Sequence, residues 1–326
     1  MRASTLLIAR RLAIALLAFF LLLVGAFVYL GQTPPGKLSN DFEQPERISF
    51  LAIGDQGSGQ LPQRRVAAAM ADAAEADPNV RFCLLLGDNF YGHGVTSVTD
   101  WQWRWKFESV YSAVALWTLP FYSVLGNHDY LGNVQAQLDY SQQGQGSNRF
   151  RLPARQYIRD FGQAAGRPLV RIAFIDTNDT ANDFAAARAL IKQAFSATPS
   201  EPLWRIVVAH HPIRTFGRYR DDTELRKALL PDLIAAKVQL YLSGHDHNLQ
   251  LIAAPNEPVF AISGGGGAGL YPKTGADTSL RYFNAAHGYL KVDVSASGIH
   301  LGLHPLSGEP AYDFAIPRAD AHAGNY

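Results

Sequence analysis

A short apolar run that ends in glycine or histidine and then in polar side chains recurs along this sequence, and it limits the possible folds more than any other feature. In the first half the runs at 48–53, 81–86 and 121–125 are followed by Gly54-Asp55, Gly87-Asp88 and Gly126-Asn127-His128. In the second half the runs at 205–209 and 238–242 lead into His210-His211 and Ser243-Gly244-His245-Asp246-His247. Segments with helical patterns separate these strands, at 61–76, 100–117, 183–196 and 222–236. This alternation predicts an α/β protein built from layered sheets and helices.

The composition is that of one large folded domain. The 326 residues are 48% hydrophobic and 17% charged, which is enough for a sizeable core in a single α/β domain. Because the formal net charge is +1 and no run of like charges occurs, we expect no nucleic-acid partner. Cys83 is the single cysteine and lies in an apolar run, so we expect a buried thiol and no disulfide within the chain.

The N-terminal segment indicates where the domain is located. Residues 12–30 carry no charge, and Arg2, Arg10 and Arg11 precede them. This pattern predicts a transmembrane helix within residues 1–31 that crosses the lipid bilayer and leaves the folded domain exported, on the periplasmic or extracellular side. There are two alternatives: a signal peptide that is cleaved to release a secreted protein, and a buried core helix. Residues 32–47 are rich in proline, glycine and polar residues and form a predicted linker to a domain at 48–326.

The polar residues at the strand ends are candidates for one shared pocket. They are Asp55, Asp88 with Tyr91, Asn127 with His128, His210, and His245 with His247. Ligands of α/β sheets bind just beyond the carboxyl ends of the strands, and glycine permits the unusual backbone conformations that a sharp strand exit needs. Taken singly, each residue has an ordinary structural role in a turn or a core. Their joint pattern predicts a binding site, whereas we expect structural roles for the remaining histidines, at positions 93, 287, 300, 304 and 322.

The donor atoms of this set favour two metal ions of different hardness. Carboxylates suit hard cations, imidazoles suit zinc and iron, and the phenolate of Tyr91 would favour iron(III). A strand-end aspartate is a natural bridge between two metals. Such a pair lowers the pKa of a bound water, which gives a hydroxide nucleophile, and clamps the phosphoryl oxygens, so hydrolysis at phosphorus is the expected chemistry. The glycine-rich run Ser263–Gly267 could cradle a phosphate through backbone N–H groups. Because it lacks the Lys-Ser/Thr end of a P-loop, a tight turn is the favoured prediction.

These residues resemble the purple acid phosphatases, especially the tartrate-resistant type, within the calcineurin-like metallophosphoesterases. The matching stretches are GDQG (54–57), GDNFY (87–91), GNHDYLGNVQAQLDYS (126–141), VVAHHP (207–212) and GHDHNLQ (244–250). The resemblance implies a four-layer αββα sandwich over about 48–305. It also implies that iron(III) is held by Asp55, Asp88, Tyr91 and His247. Asp88 would bridge to a second, divalent metal (Fe, Zn or Mn), and Asn127, His210 and His245 would complete the coordination of that metal.

The resemblance further implies a role for His128, which would contact the phosphate and protonate the leaving group. The expected substrates are phosphate monoesters of small molecules or phosphoproteins. The family often has a second substrate histidine nine residues after the position of His210, where this chain has Tyr219 between Arg218 and Arg220. These three residues are candidates for substrate binding, although a solvated loop explains the two arginines equally well. A phosphodiesterase or nucleotide hydrolase on the same site, and a catalytically silent exported binding protein, are the alternative functions.

Overall fold

The computed structural model describes residues 10–21, 45–196 and 201–318. Residues 10–21 form an exposed helix, α1. Across the described ranges, no helix is both long and apolar enough to cross a membrane. The predicted transmembrane helix over 12–30 is therefore not confirmed, and its residues 22–30 lie outside the described part, as does most of the predicted linker.

The first of two sheets carries the early strand-end motifs. Its strand order is β14 (Tyr312–Pro317), β13 (Gly298–Pro305), β12 (Gly288–Val294), β1 (Ile48–Ile53), β2 (Val80–Leu85), β3 (Phe121–Ser123) and β4 (Phe150–Arg151). The strands β1 to β4 pair in parallel, whereas β12, β13 and β14 form an antiparallel extension that begins at β1. Because β1, β2 and β3 are parallel, the loops after them leave from the same edge of the sheet.

The second sheet carries the histidine motifs. Its order is β11 (Leu280–Asn284), β9 (Leu249–Ala253), β10 (Val259–Ser263), β8 (Leu240–Ser243), β7 (Trp204–Val208), β6 (Arg167–Phe174) and β5 (Tyr157–Ala164). The central strands β6, β7, β8 and β10 are parallel, and antiparallel strands flank them on both sides. His210 follows β7 and His245 follows β8, so both leave from one edge of this sheet.

The helices lie between the strands, with one correction to the sequence prediction. The α-helices are α2 (Leu61–Ala76), α3 (Val114–Trp117), α4 (Val134–Gln142), α5 (Ala185–Phe195) and α6 (Thr223–Ala235). The helical pattern at 100–117 is not continuous in the structure, because this stretch contains a π-helix at Trp103–Glu108, then a turn, then α3. Its buried residues include Lys106 and Glu108 as well as Trp103 and Phe107, so burial of polar side chains here overrides the amphipathic pattern.

The core shows a layered sandwich. In β7, Ile206 and Val208 lie in the core that both sheets share, whereas Val207 between them packs with residues of α5 and α6. This alternation places one face of the second sheet against the first sheet and the other face under helices. On the first sheet, Val66 and Met70 of α2 are buried in the shared core cluster. The predicted α/β sandwich is therefore confirmed.

Candidate metal centre

Three predicted ligands from distant parts of the chain meet around the hydroxyl of Tyr91. This hydroxyl donates to Oδ1 of Asp55 at 2.9 Å and lies 2.9 Å from Nε2 of His247. The same Nε2 is 3.5 Å from Oδ1 of Asp55. Asp55 is fully buried and His247 is nearly so. A phenol, a carboxylate and an imidazole thus point at one small volume.

A second group of predicted ligands converges next to the first. Nε2 of His210 lies 3.1 Å from Oδ1 of Asn127 and 3.2 Å from Nδ1 of His245. His245 is linked to the first group through its backbone, because its N–H donates to Oδ2 of Asp55 at 2.7 Å. The side chains that the sequence places after β3, β7 and β8 therefore form one cluster.

Asp88 lies between the two groups. Its Oδ1 is 3.5 Å from Nε2 of His210 and accepts the backbone N–H of His128 at 2.9 Å. The ligand atoms of Asp55, Asp88 and His210 all lie within 4.8 Å of one another, which is close enough to hold a metal ion. The predicted bridging residue is thus in the position from which a carboxylate can reach both groups.

The strand exits are strained at the candidate ligands themselves. Asp55, Asp88 and His245 have φ of 59°, 53° and 67°, a left-handed conformation that costs a residue with a side chain about 1 kcal/mol or more. Backbone strain of this kind persists only where the surrounding structure enforces it. It aims three side chains inward that a relaxed strand would direct elsewhere.

The glycines before these residues have a different role from the predicted one. The sequence predicts unusual backbone angles at these glycines, but Gly54, Gly126 and Gly244 have no positive φ, and only Gly87 does, at 91°. They permit close packing instead. A Cβ on Gly54 would lie 2.9 Å from the Cα of Gly244, and one on Gly126 would lie 2.2 Å from the backbone N of Asp88. The ligand loops can approach one another only because these side chains are absent.

Backbone carbonyls determine which imidazole nitrogens face the cluster. Nδ1 of His210 lies 2.9 Å from the carbonyl oxygen of Leu86, and Nδ1 of His247 lies 2.6 Å from that of Gly269. Because a carbonyl oxygen only accepts, each Nδ1 must carry the proton and donate it. In the neutral ring each Nε2 then carries a lone pair directed at the cluster, which is the form that binds a metal.

The electrostatics of the cluster call for bound cations. Burial, reinforced by the carboxylates of Asp55 and Asp88, raises the pKa of the Tyr91 phenol well above its ordinary value. Burial, together with neighbouring imidazoles such as His210, lowers the pKa of His245, so its ring is neutral. Burial acts to lower the pKa of His210 and of His247, but the carboxylates of Asp55 and Asp88 outweigh it and raise both. Negative charge therefore dominates the cluster. This donor set fits two metal ions, and it is the chemistry that iron and zinc prefer.

The three candidate substrate residues are divided between two places. The ring of Tyr219 stacks on His245 at 4.1 Å, and the guanidinium of Arg218 lies 4.7 Å from the centre of the Tyr271 ring. Tyr271 in turn stacks on His247 at 4.1 Å. Arg218 and Tyr219 thus lie on the rim of the cluster, together with Tyr271, which lies outside the motifs that resemble the family. Arg220 lines a cavity of about 390 Å³ that includes none of the predicted ligands.

His128 lies beside the cluster. Its ring is 4.6 Å from that of Tyr91, and its buried Nδ1 has no hydrogen-bond partner within the described ranges. The next residue but one along the chain, Tyr130, donates a short hydrogen bond to Asp176 and so fixes the loop that carries His128. An unpartnered polar atom at this depth is available to a substrate oxygen.

Two aspartates that support the site were not singled out from the sequence, although both lie inside quoted motifs. Asp129 is fully buried and accepts from the backbone N–H groups of Gly126 and Asn89 at 2.8 and 3.2 Å, respectively. Asp246 lies between the two histidines after β8 and accepts from the N–H of Arg218 at 2.9 Å. An aspartate in such a loop can be a metal ligand, or it can hold the loop in place through hydrogen bonds. Only its contacts in the structure distinguish these two roles.

The glycine-rich run Ser263–Gly267 packs against the ligand loops. The N–H of Gly264 donates to the carbonyl oxygen of Asn248, and that of Gly266 donates to the carbonyl oxygen of Gly54. Both hydrogen bonds join distant segments, and the backbone bends at 266–268 without forming a turn. The predicted tight turn is therefore not confirmed, and the run is a packing segment.

Comparisons with known proteins identify the family of this chain. Residues 48–249 match the model of the calcineurin-like phosphoesterase family. Purple acid phosphatase 4 of Arabidopsis thaliana is 32% identical over 279 residues, which are 80% of this chain and 81% of that protein. Tartrate-resistant acid phosphatase type 5 of Sus scrofa is 30% identical over 301 residues, with 83% and 87% covered.

A solved structure described as GAP50, the anchor in the inner membrane complex of Plasmodium, is similar with a TM-score of 0.74 and 27% identity. The match covers 83% of this chain and 89% of that one. The residues that match the family model, 48–249, include every predicted metal ligand from Asp55 to His247. The chain therefore belongs to the calcineurin-like phosphoesterase family, in which it is a metal-dependent phosphatase of the purple acid phosphatase group.

Proposed function

We propose that this chain hydrolyses phosphate monoesters at a dinuclear Fe(III)–M(II) centre, with Asp55, Asp88, Tyr91 and His247 at iron(III). The divalent ion, Fe, Zn or Mn, is held by Asp88 together with Asn127, His210 and His245. The observation that carries the proposal is the position of the Tyr91 hydroxyl, 2.9 Å from both Asp55 and His247. A buried phenol next to two carboxylates can ionise only if a strong cation compensates it, and iron(III) is the cation that phenolate prefers.

When bound, the two metals supply an activated water and positive charge for the phosphoryl oxygens. The chain contributes orientation. The carbonyl oxygens of Leu86 and Gly269 hold His210 and His247 in the tautomer that presents Nε2. Asp55 uses one carboxylate oxygen toward Tyr91 and the other toward the backbone of His245. Little reorganisation is then needed when the charges are introduced.

His128 is proposed to bind the phosphate and to protonate the leaving group. Its unpartnered Nδ1 and its position beside Tyr91 support this role, because a general acid must reach the leaving oxygen from the rim of the centre. Imidazole is suited to donate a proton near neutral pH. The proton passes to the ester oxygen as its bond to phosphorus breaks, which leaves a neutral alcohol.

We propose that Arg218 and Tyr219 contact the substrate at the rim. Arg218 makes no ion pair within the described part of the chain, so its guanidinium can bind a phosphate or another anionic group. Tyr219 is 46% exposed although it stacks on a candidate ligand. Support for Arg220 is weaker, since it lines the separate cavity.

We further propose that the domain is exported and held at a membrane through residues 12–30, or secreted after cleavage of that segment. The support is the uncharged stretch and the arginines before it. Its substrates would be phosphorylated small molecules or phosphoproteins.

The experiment compares the full-length chain with Asp88→Ala on an aryl phosphate and on a bis-aryl phosphate diester, and records visible absorption and iron content on the same samples. We expect a violet band that Tyr91→Phe abolishes, and faster hydrolysis of the monoester that Asp88→Ala abolishes. Faster hydrolysis of the diester would support the phosphodiesterase alternative. Equal rates for wild type and Asp88→Ala would refute catalysis and leave a binding role, as the likeness to an anchor protein permits.

A further inference from the structure

Lys106 is a buried charged residue that the proposed chemistry does not use. It lies on the π-helix and is 8% exposed. Its Nζ donates to the carbonyl oxygen of Tyr91 at 2.6 Å and to Oε1 of Gln102 at 2.7 Å, and it makes no ion pair with any described residue. Burying an ammonium group without a carboxylate partner is costly, so its position needs an explanation.

Gln102 holds the other end of the same loop. Its Nε2 donates to the carbonyl oxygen of Gly94 at 2.6 Å. Two side chains from one helical turn thus bind the first and last carbonyl groups of the turn Tyr91–Gly94. Within this turn Gly92 and Gly94 have φ of 90° and 62°, so the backbone has little inherent preference for its conformation. External contacts must determine where the turn, and Tyr91 with it, is placed.

The carbonyl group of Lys106 binds the second ligand loop. It accepts from Nε2 of Gln63 at 2.8 Å, and Oε1 of Gln63 accepts from the N–H of Gly59 at 2.7 Å. The two loops are also joined directly, because the N–H of Tyr91 donates to the carbonyl oxygen of Gly57 at 2.9 Å. Lys106 therefore contacts the loop that carries Tyr91 through its ammonium group, and through Gln63 it contacts the loop that carries Asp55.

We propose that Lys106 is a positioning residue for Tyr91, which holds the phenol oxygen at the distance from Asp55 and His247 that a shared metal requires. This inference rests on the proposed function in assigning that metal as iron(III). The ammonium acts through the backbone of Tyr91 and does not touch the metal or the substrate. Its loss leaves the Tyr91 carbonyl without its donor and frees the turn to move, so the phenol would spend less time at the centre.

The test uses the full-length chain and two independent measurements. Lys106→Met keeps the length of the side chain and removes the donor, and Gln102→Met removes the neighbouring contact from a partly exposed position. Lys291→Met is the matched control. This variant removes an ammonium group that lies 2.7 Å from Asp77. Asp77 precedes the start of β2, whereas the loop that carries Tyr91 follows the end of β2. Amide hydrogen exchange is measured in peptides that cover 55–59 and 87–94, and visible absorbance is measured per bound iron.

We expect exchange in 87–94 to accelerate about tenfold in Lys106→Met, less in Gln102→Met, and not at all in Lys291→Met. We also expect the violet absorbance per iron to fall or shift in the first two variants only. Unchanged exchange in Lys106→Met, or equal acceleration in Lys291→Met, would overturn the inference. If the wild type is colourless with iron bound, the assignment of Tyr91 to iron(III) fails, and the exchange data alone then decide whether Lys106 positions the loop.

Discussion

Replacing Gly126 by alanine tests whether close packing of the ligand loops positions Asp88. A Cβ at this residue would lie 2.2 Å from both the backbone N and Oδ1 of Asp88, whereas real contacts of Cβ essentially never fall below 3.0 Å. One segment must therefore move by about 0.8 Å. Asp88 cannot yield without cost, because its Oδ1 also accepts the N–H of His128 at 2.9 Å. A displacement near 1 Å at a catalytic centre costs about 100-fold in rate, or about 2.7 kcal/mol.

We expect Gly126→Ala to lower kcat/KM for an aryl phosphate by about 100-fold, with the fold retained. The assay is steady-state hydrolysis by the full-length chain, with metal content and thermal unfolding measured on the same preparation. Gly269→Ala is the matched control, since its Cβ would have no heavy atom within 4 Å although its carbonyl oxygen accepts from His247. The control should stay within about twofold of wild type. Equal losses in the two variants, or full activity in Gly126→Ala, would refute the reasoning.

Three further predictions address proton transfer, stability and pH. His128→Asn should lower kcat by about 10²–10⁴-fold, and most for esters with poor leaving groups. The assay compares phosphate esters whose alcohols differ in acidity. Equal losses of kcat across the series would contradict the role of His128 as the general acid. Arg149→Met should lower the free energy of unfolding by about 3–5 kcal/mol in urea titrations, because it removes the cation that pairs with the buried carboxylate of Glu108, 3.1 Å away. A loss below about 1 kcal/mol would contradict that account. Burial lowers the pKa of His304, which stacks on Tyr289. As the pH falls, His304 therefore takes up its proton in the unfolded chain before it does so in the folded protein. The free energy of unfolding should fall as pH drops below about 6.5, and it should level off below the pKa of the folded state. His304→Gln should flatten this dependence, and an unchanged pH profile would exclude His304 as its source.

The strands that lead into the site were predictable because their pattern is local. β1 is found at Ile48–Ile53 as expected, and β2 and β7 begin and end within one residue of the predicted runs. Continuous apolar sequence is what a parallel strand buried on both faces requires. β5, at Tyr157–Ala164, was missed since its sequence YIRDFGQA includes charged residues and a glycine, as an edge strand tolerates.

The chemical types of the candidate ligands were also readable, because carboxylate, phenol, amide and imidazole groups each follow a recognisable strand end. Their grouping into two sets was not derivable from spacing. The hydroxyl of Tyr91 contacts His247, which is 156 residues further along the chain, and no local sequence pattern predicts this contact. The resemblance to a family supplied the grouping, and the fold brings the same side chains together.

The sequence by itself determined which side chains are available for metal chemistry and at which strand ends they occur, since both follow from local composition. Tertiary structure alone decided how they are held: the left-handed backbone of Asp55 and His245, the close packing that Gly126 permits, and the link from Lys106 to both ligand loops. These features arise where segments far apart in the chain press against each other. They depend on contacts between these distant segments, and the periodicity of the sequence does not encode which segments will meet.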